Sequence, residues 1–168
     1  MKYLVISDVH GNIEYGRLIP EIIEREKPSQ IIYLGDLFSY YGDNEELINI
    51  YNRYAGITVG VKGNNDSTYD AGELKFLLNT YSKILINNKL FFFTHGHLYN
   101  EYTIPESVDV FISGHTHRSM LEKHDYLIVG NPGSLGLPRD NNHSYMVIDE
   151  KNIYIKDIDG DIINSLEY

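Results

Sequence analysis

Leu4-Val5-Ile6-Ser7-Asp8-Val9-His10-Gly11 carries a short apolar run that breaks abruptly into small, metal-capable residues. An apolar run of this length reads as a buried strand, with its carboxyl end at Ser7-Asp8. The same grammar recurs along the chain. Ile31-Ile32-Tyr33-Leu34 runs into Gly35-Asp36, and Ile57-Thr58-Val59-Gly60-Val61 leads to Gly63-Asn64. Leu90 to Thr94 runs into His95-Gly96-His97, and Val108 to Ser113 into Gly114-His115-Thr116-His117. In layered α/β folds, sites form outside the carboxyl ends of strands. Five strand ends are therefore expected to meet at one pocket.

Between these strands the apolar spacing turns helical. Tyr15, Leu18, Ile19, Ile22 and Ile23 predict the inner face of a first helix, which Pro20 should kink or open. Leu47, Ile50, Tyr51 and Tyr54 predict a second helix, and Leu74, Leu77, Leu78 and Tyr81 a third. The second half reads mostly as strands. Lys83 to Ile86 and Leu90 to Thr94 form a hairpin around Asn87-Asn88, and Tyr126 to Val129 is a further strand. Ser144 to Asp149, Asn152 to Ile158 and Asp161 to Leu166 form a terminal meander, with Asp159-Gly160 at its last turn. No linker, repeat or low-complexity tract interrupts the 168 residues, so residues 1–168 are expected to form a single domain.

Composition narrows the function. The net charge of -10 argues against binding of extended nucleic acid, which needs a basic face. It leaves room for phosphate chemistry at one locally positive site. With no cysteine there is no disulfide, thiolate site or cysteine nucleophile. The opening apolar run is too short for a signal-peptide core or a membrane span, so the expectation is a cytoplasmic protein without membrane contact.

Five of the seven histidines fall in Asp8-Val9-His10, His95-Gly96-His97 and His115-Thr116-His117. Residues two apart in an extended or tightly turned segment have Cα atoms about 6–7 Å apart and can reach one ion. A mixed His, Asp and Asn set of this size suits two borderline divalent metals. Such pairs lie about 3.5–4 Å apart in hydrolytic sites and clamp the attacking and leaving oxygens of a phosphoryl group. Two divalent ions, less Asp8, Asp36 and one hydroxide, leave about +1, which favours an anionic substrate. The reading is a metal-dependent hydrolase.

These pieces, in this order, resemble the calcineurin-like metallophosphoesterases. Asn131-Pro132-Gly133-Ser134 extends the likeness to the compact microbial branch of YfcE-like and MJ0936-like phosphodiesterases. The resemblance implies a four-layer αββα sandwich, two mixed β-sheets flanked by helices. It assigns Asp8, His10, Asp36 and His117 to one metal. It assigns Asp36, Asn64, His95 and His115 to the other, with Asp36 bridging. Asp36, Asn64 and His97 are the catalytic candidates, His97 standing near the site. A bridging hydroxide would attack a small phosphodiester in line. Mn²⁺ is the first choice of metal, with Ni²⁺, Co²⁺, Fe²⁺, Zn²⁺ or Mg²⁺ as alternatives. The branch also suggests a homodimer or homotetramer.

One position departs from the family pattern. Larger members follow the metal-binding Asn with a His able to protonate the leaving group, and here Asn65 stands in that place. An amide is no general acid, which favours good leaving groups and a phosphodiesterase over a phosphomonoesterase. The rival of a different class is an interaction scaffold resembling the retromer subunit, which would tolerate the loss of ligands. Other residues have two readings each. Asn12 caps a helix or touches phosphate. Arg139 is solvated or touches phosphate. Asp66 caps a helix or orients a neighbour. Phe38, Tyr40 and Tyr41 form an aromatic lip or pack against a neighbouring loop or subunit. His124 and His143 read as surface residues.

Overall fold

The computed structural model describes residues 1–168. Strands β1 (Tyr3–Ile6), β2 (Gln30–Tyr33), β3 (Thr58–Val61) and β4 (Leu78–Asn79) alternate with helices α1 (Ile13–Gly16), α2 (Ile19–Glu26), α3 (Glu45–Arg53) and α4 (Thr68–Gly72). Eight strands follow: β5 (Tyr81–Ile86), β6 (Lys89–Thr94), β7 (Val110–Ser113), β8 (Ser119–Lys123), β9 (Ile128–Pro132), β10 (Ser144–Ile148), β11 (Asn152–Asp157) and β12 (Ile162–Glu167). They form two mixed sheets, one of seven strands in the order β12-β11-β10-β1-β2-β3-β4 and one of five in the order β5-β6-β7-β9-β8.

Strict alternation of side chains builds the layers. Tyr3 and Val5 of β1 join Phe91 and Phe93 of β6 in the core between the sheets. Leu4 and Ile6 point the other way, onto Ile19, Ile22, Leu47 and Ile50 of the helices. Phe92 faces outward from the five-stranded sheet, with Phe111, Leu127 and Val129. Tyr99, Ile104 and Val108 cover that face from a segment of turns, so the fourth layer here is irregular chain rather than helix.

Three local expectations need correction. The first helical stripe is split at Arg17–Leu18, and Pro20 lies in the opening turn of α2, where its missing N–H costs nothing. The stripe Leu74, Leu77, Leu78 and Tyr81 is not a helix. Ser67 caps α4 by accepting from the Asp70 N–H, and the helix ends at Gly72. Asn52 then holds the Glu73 carbonyl and the Lys75 N–H in non-helical positions. Leu74, Phe76 and Leu78 pack inward while Leu77 is exposed, a period of two rather than 3.6. Strand β8 went unpredicted because Leu121 is its one buried residue, and β9 starts later than the apolar run suggested. The Asn87-Asn88 turn forms as expected, both residues having positive φ, as a tight hairpin requires.

Candidate metal centre

The carboxyl ends of β1, β2, β3, β6 and β7 meet at one edge of the sandwich. Their loops are laced by backbone bonds. The Asp8 N–H donates to Gly35 O (3.1 Å), the His10 N–H to Asp36 O (2.8 Å), and the Gly114 N–H to His95 O (3.0 Å). Asp8, His10, Asp36, His115 and His117 all have φ between 50° and 68°. Left-handed backbone is costly for residues with a Cβ and persists where the surroundings impose it. Here it turns five candidate donor side chains into one space. Gly63 is also required, because a Cβ there would overlap Asp36 Oδ1 and the Asp36 backbone nitrogen.

Two donor groups result. Asp8, His10, Asp36 and His117 bring one ligand atom each within 4.8 Å of one another, and Asp36, His95 and His115 do the same. Asp36 belongs to both. Asn64 Oδ1 lies 3.1 Å from His95 Nε2, on the side of the second group. Asp36 Oδ2 is 3.4 Å from His10 Nε2 and 3.3 Å from His95 Nε2. His97 is exposed at the rim, its ring 5.3 Å from that of His95 and 6.4 Å from that of His115.

The donor set has the chemistry a cation needs. Asp8 Oδ1 is buried with no hydrogen-bond partner. His10 Nε2 and His117 Nε2 face each other at 3.1 Å, a separation that requires a proton or a cation between them. The His95 Nδ1 donates to Leu34 O (2.6 Å) and the His117 Nδ1 to Leu137 O (2.7 Å). A carbonyl only accepts, so in the neutral rings the hydrogen sits on Nδ1 and the Nε2 lone pair faces the site.

Charge is balanced through neighbours. Burial pushes the Asp8 carboxyl up, but His10, His117, His95 and the Ser7 hydroxyl outweigh it and hold Asp8 well below the carboxylate range. Burial raises Asp36 too, and His95 with Asn65 overcomes it, leaving Asp36 lowered. Burial lowers His95, but Asp36 and Asp8 raise it further, to a net increase. Asp8 raises His117. Burial and the His95 charge lower both His97 and His115.

Several sequence readings resolve here. Asp66 is an orienting acceptor: its carboxylate takes the N–H groups of Asp36 (2.9 Å), Leu37 (2.7 Å) and Gly63 (2.7 Å). Asn65 donates from its backbone and side-chain nitrogens to the two Asp36 oxygens, 2.8 Å each. Asn12 makes no side-chain cap and instead donates to Gly136 O (2.8 Å). The aromatic lip dissolves. Phe38 is buried against Tyr51, and only Tyr40 and Tyr41 are exposed. His124 is exposed, but His143 is half-buried, stacked on Tyr15 at 3.5 Å and 7°.

Ser134 and Asn131 had no assigned role. Ser134 Oγ donates to Asp8 O (2.6 Å), and the Asn131 amide donates to Gly114 O (2.7 Å). Asn131 braces a donor loop from β9 and Ser134 braces another from the turn just after it. The only sequence signal for them was the Asn131-Pro132-Gly133-Ser134 run itself.

Residues 1–152 match the model of the calcineurin-like phosphoesterase superfamily domain. The chain is 29% identical over 162 residues to phosphodiesterase YfcE of Escherichia coli K12, covering 89% of this chain and 88% of that protein. It is 29% identical over 144 residues to phosphodiesterase MJ0936 of Methanocaldococcus jannaschii, covering 79% and 83%. The solved structure of the E. coli phosphoesterase YfcE superposes with a TM-score of 0.92, at 26% identity and 99% coverage of both chains. The family match spans every donor loop and the structural match nearly the whole chain, and on these grounds the protein belongs to the calcineurin-like phosphoesterase superfamily.

Proposed function

We propose that this chain is a metal-dependent phosphodiesterase that hydrolyses small, nucleotide-like or other organic phosphate diesters at a centre of two divalent ions, within a single domain. The observation that carries the reading is the sharing of Asp36 between two donor groups assembled from four strand ends, with Asn64 from a fifth beside the second group. Asp8, His10, Asp36 and His117 would hold one ion, and Asp36, Asn64, His95 and His115 the other. Mn²⁺ is the first candidate. Ions bound there supply positive charge to the attacking and leaving oxygens of an in-line displacement.

The protein's own groups set the rest. Leu34 O and Leu137 O fix the orientation of His95 and His117, and Asn65 and Asp66 fix Asp36. Asn64 contributes a neutral oxygen, which keeps the site from accumulating negative charge. His97 has a lowered proton affinity, so less of it is protonated at neutral pH, and its neutral ring would donate a hydrogen bond to a phosphoryl oxygen rather than act as a general acid. With Asn65 committed to Asp36, no nearby side chain is a ready proton donor for a poor leaving group. This favours diesters with good leaving groups over monoesters.

The test is hydrolysis of bis-p-nitrophenyl phosphate and p-nitrophenyl phosphate side by side, after EDTA stripping and re-addition of single metals. Metal-dependent diester cleavage with little monoester cleavage is the expected result. Strong monoesterase activity would show that leaving-group protonation is not limiting. Metal binding without any turnover would favour a scaffold.

A further inference from the structure

The segment from Leu137 to His143 is anchored at several points. The Leu137 N–H donates to Ser134 Oγ (2.7 Å), and the Arg139 N–H donates to His117 O (2.8 Å). One Asp140 carboxylate oxygen accepts from the Ser119 N–H (2.6 Å) and hydroxyl (2.7 Å), and the other from the Asn142 N–H (3.3 Å). The His143 ring donates to Leu135 O (2.8 Å) and stacks on Tyr15. The backbone of Arg139 is thereby fixed beside His117.

Its side chain is free. The guanidinium is exposed and takes part in none of the protein's salt bridges. A fixed backbone under a free, planar, permanently charged fork is the geometry of a phosphate clamp.

Given the phosphodiesterase reading on which it rests, we propose that Arg139 binds a second phosphate of the substrate, so that the preferred substrates are diesters of alcohols that are already phosphorylated. A diester phosphate carries one negative charge, which the metal-loaded centre, at about +1, already matches. Arg139 adds a cation that the scissile group leaves unbalanced, and a second phosphate on the same molecule balances it.

Two chromogenic probes test this. One is thymidine p-nitrophenyl phosphate, esterified at the primary sugar hydroxyl. The other is the same compound with a further phosphate on the secondary hydroxyl. The expected wild-type preference for the second is about tenfold or more in kcat/KM, mostly through KM, as for a charge-assisted hydrogen bond. Arg139→Gln should collapse that ratio towards one, and Arg139→Lys should keep part of it. Equal use of both probes by the wild type would overturn the inference and leave the phosphodiesterase reading intact. A parallel fall on both probes in Arg139→Gln would also overturn it, by placing Arg139 on the scissile phosphate. If neither probe is cleaved, the phosphodiesterase reading itself fails. Calorimetry with thymidylate and the corresponding bisphosphate still decides the point: tighter binding of the bisphosphate, lost in Arg139→Gln, supports the clamp, and equal binding refutes it.

Discussion

Asp36 concentrates the demands of the site on one side chain. It lies in both donor groups, its two oxygens accept from Asn65, and its backbone N–H is held by Asp66. Asp36→Asn should weaken both metals together, by more than the ten- to hundredfold usual for an outer-shell change, and nearly abolish turnover. Retained activity in that variant would break the shared-ligand assignment. Asp66 works through geometry instead. Asp66→Ala leaves three buried N–H groups unpaired, for a cost of about 3 kcal/mol or more, seen as a lowered urea midpoint. Protons compete with metal at the same residues. His95 and His117 hold their protons more tightly than free imidazole, so metal must displace them up to a pH above 6.5. Metal affinity should therefore fall as pH drops from about 8 to about 6. A flat titration would count against histidine ligation.

At the scale of elements, the alternation Phe91-Phe92-Phe93 splits β6 between two cores. Phe93→Ala removes a side chain buried between the sheets and should cost about 3–5 kcal/mol in chemical denaturation. Leu85→Ala, on the exposed side of β5, should stay within about 0.5 kcal/mol. The strand ends that build the site were legible because each is a short, mostly apolar run stopped by glycine or a polar residue. The same logic failed at Leu74 to Tyr81, where leucines three and four apart imitate a helix. There Asn52, distant in sequence, decides the backbone. It failed again at β8, an edge strand with one buried residue to announce it. The candidate donors stood out by residue type and spacing, and their grouping around two ions came from the family resemblance. Their bracing by Ser134, Asn131 and two backbone carbonyls was not, because those contacts join segments distant in sequence.

For the whole molecule, two opposite electrostatic facts coexist. The surface is acidic, while the proposed centre, once loaded, is positive. Long single- or double-stranded DNA should not bind at any salt concentration, and retention in a filter assay at low salt would contradict this. No helix is long and apolar enough to cross a membrane. One set of side chains is proposed to hold two ions through a common carboxylate. Titration of the stripped protein with Mn²⁺, followed by calorimetry, tests it most directly. Two ions per wild-type chain, both weakened in Asp36→Asn, is the predicted result. A single site, or loss of only one ion in Asp36→Asn, would contradict it.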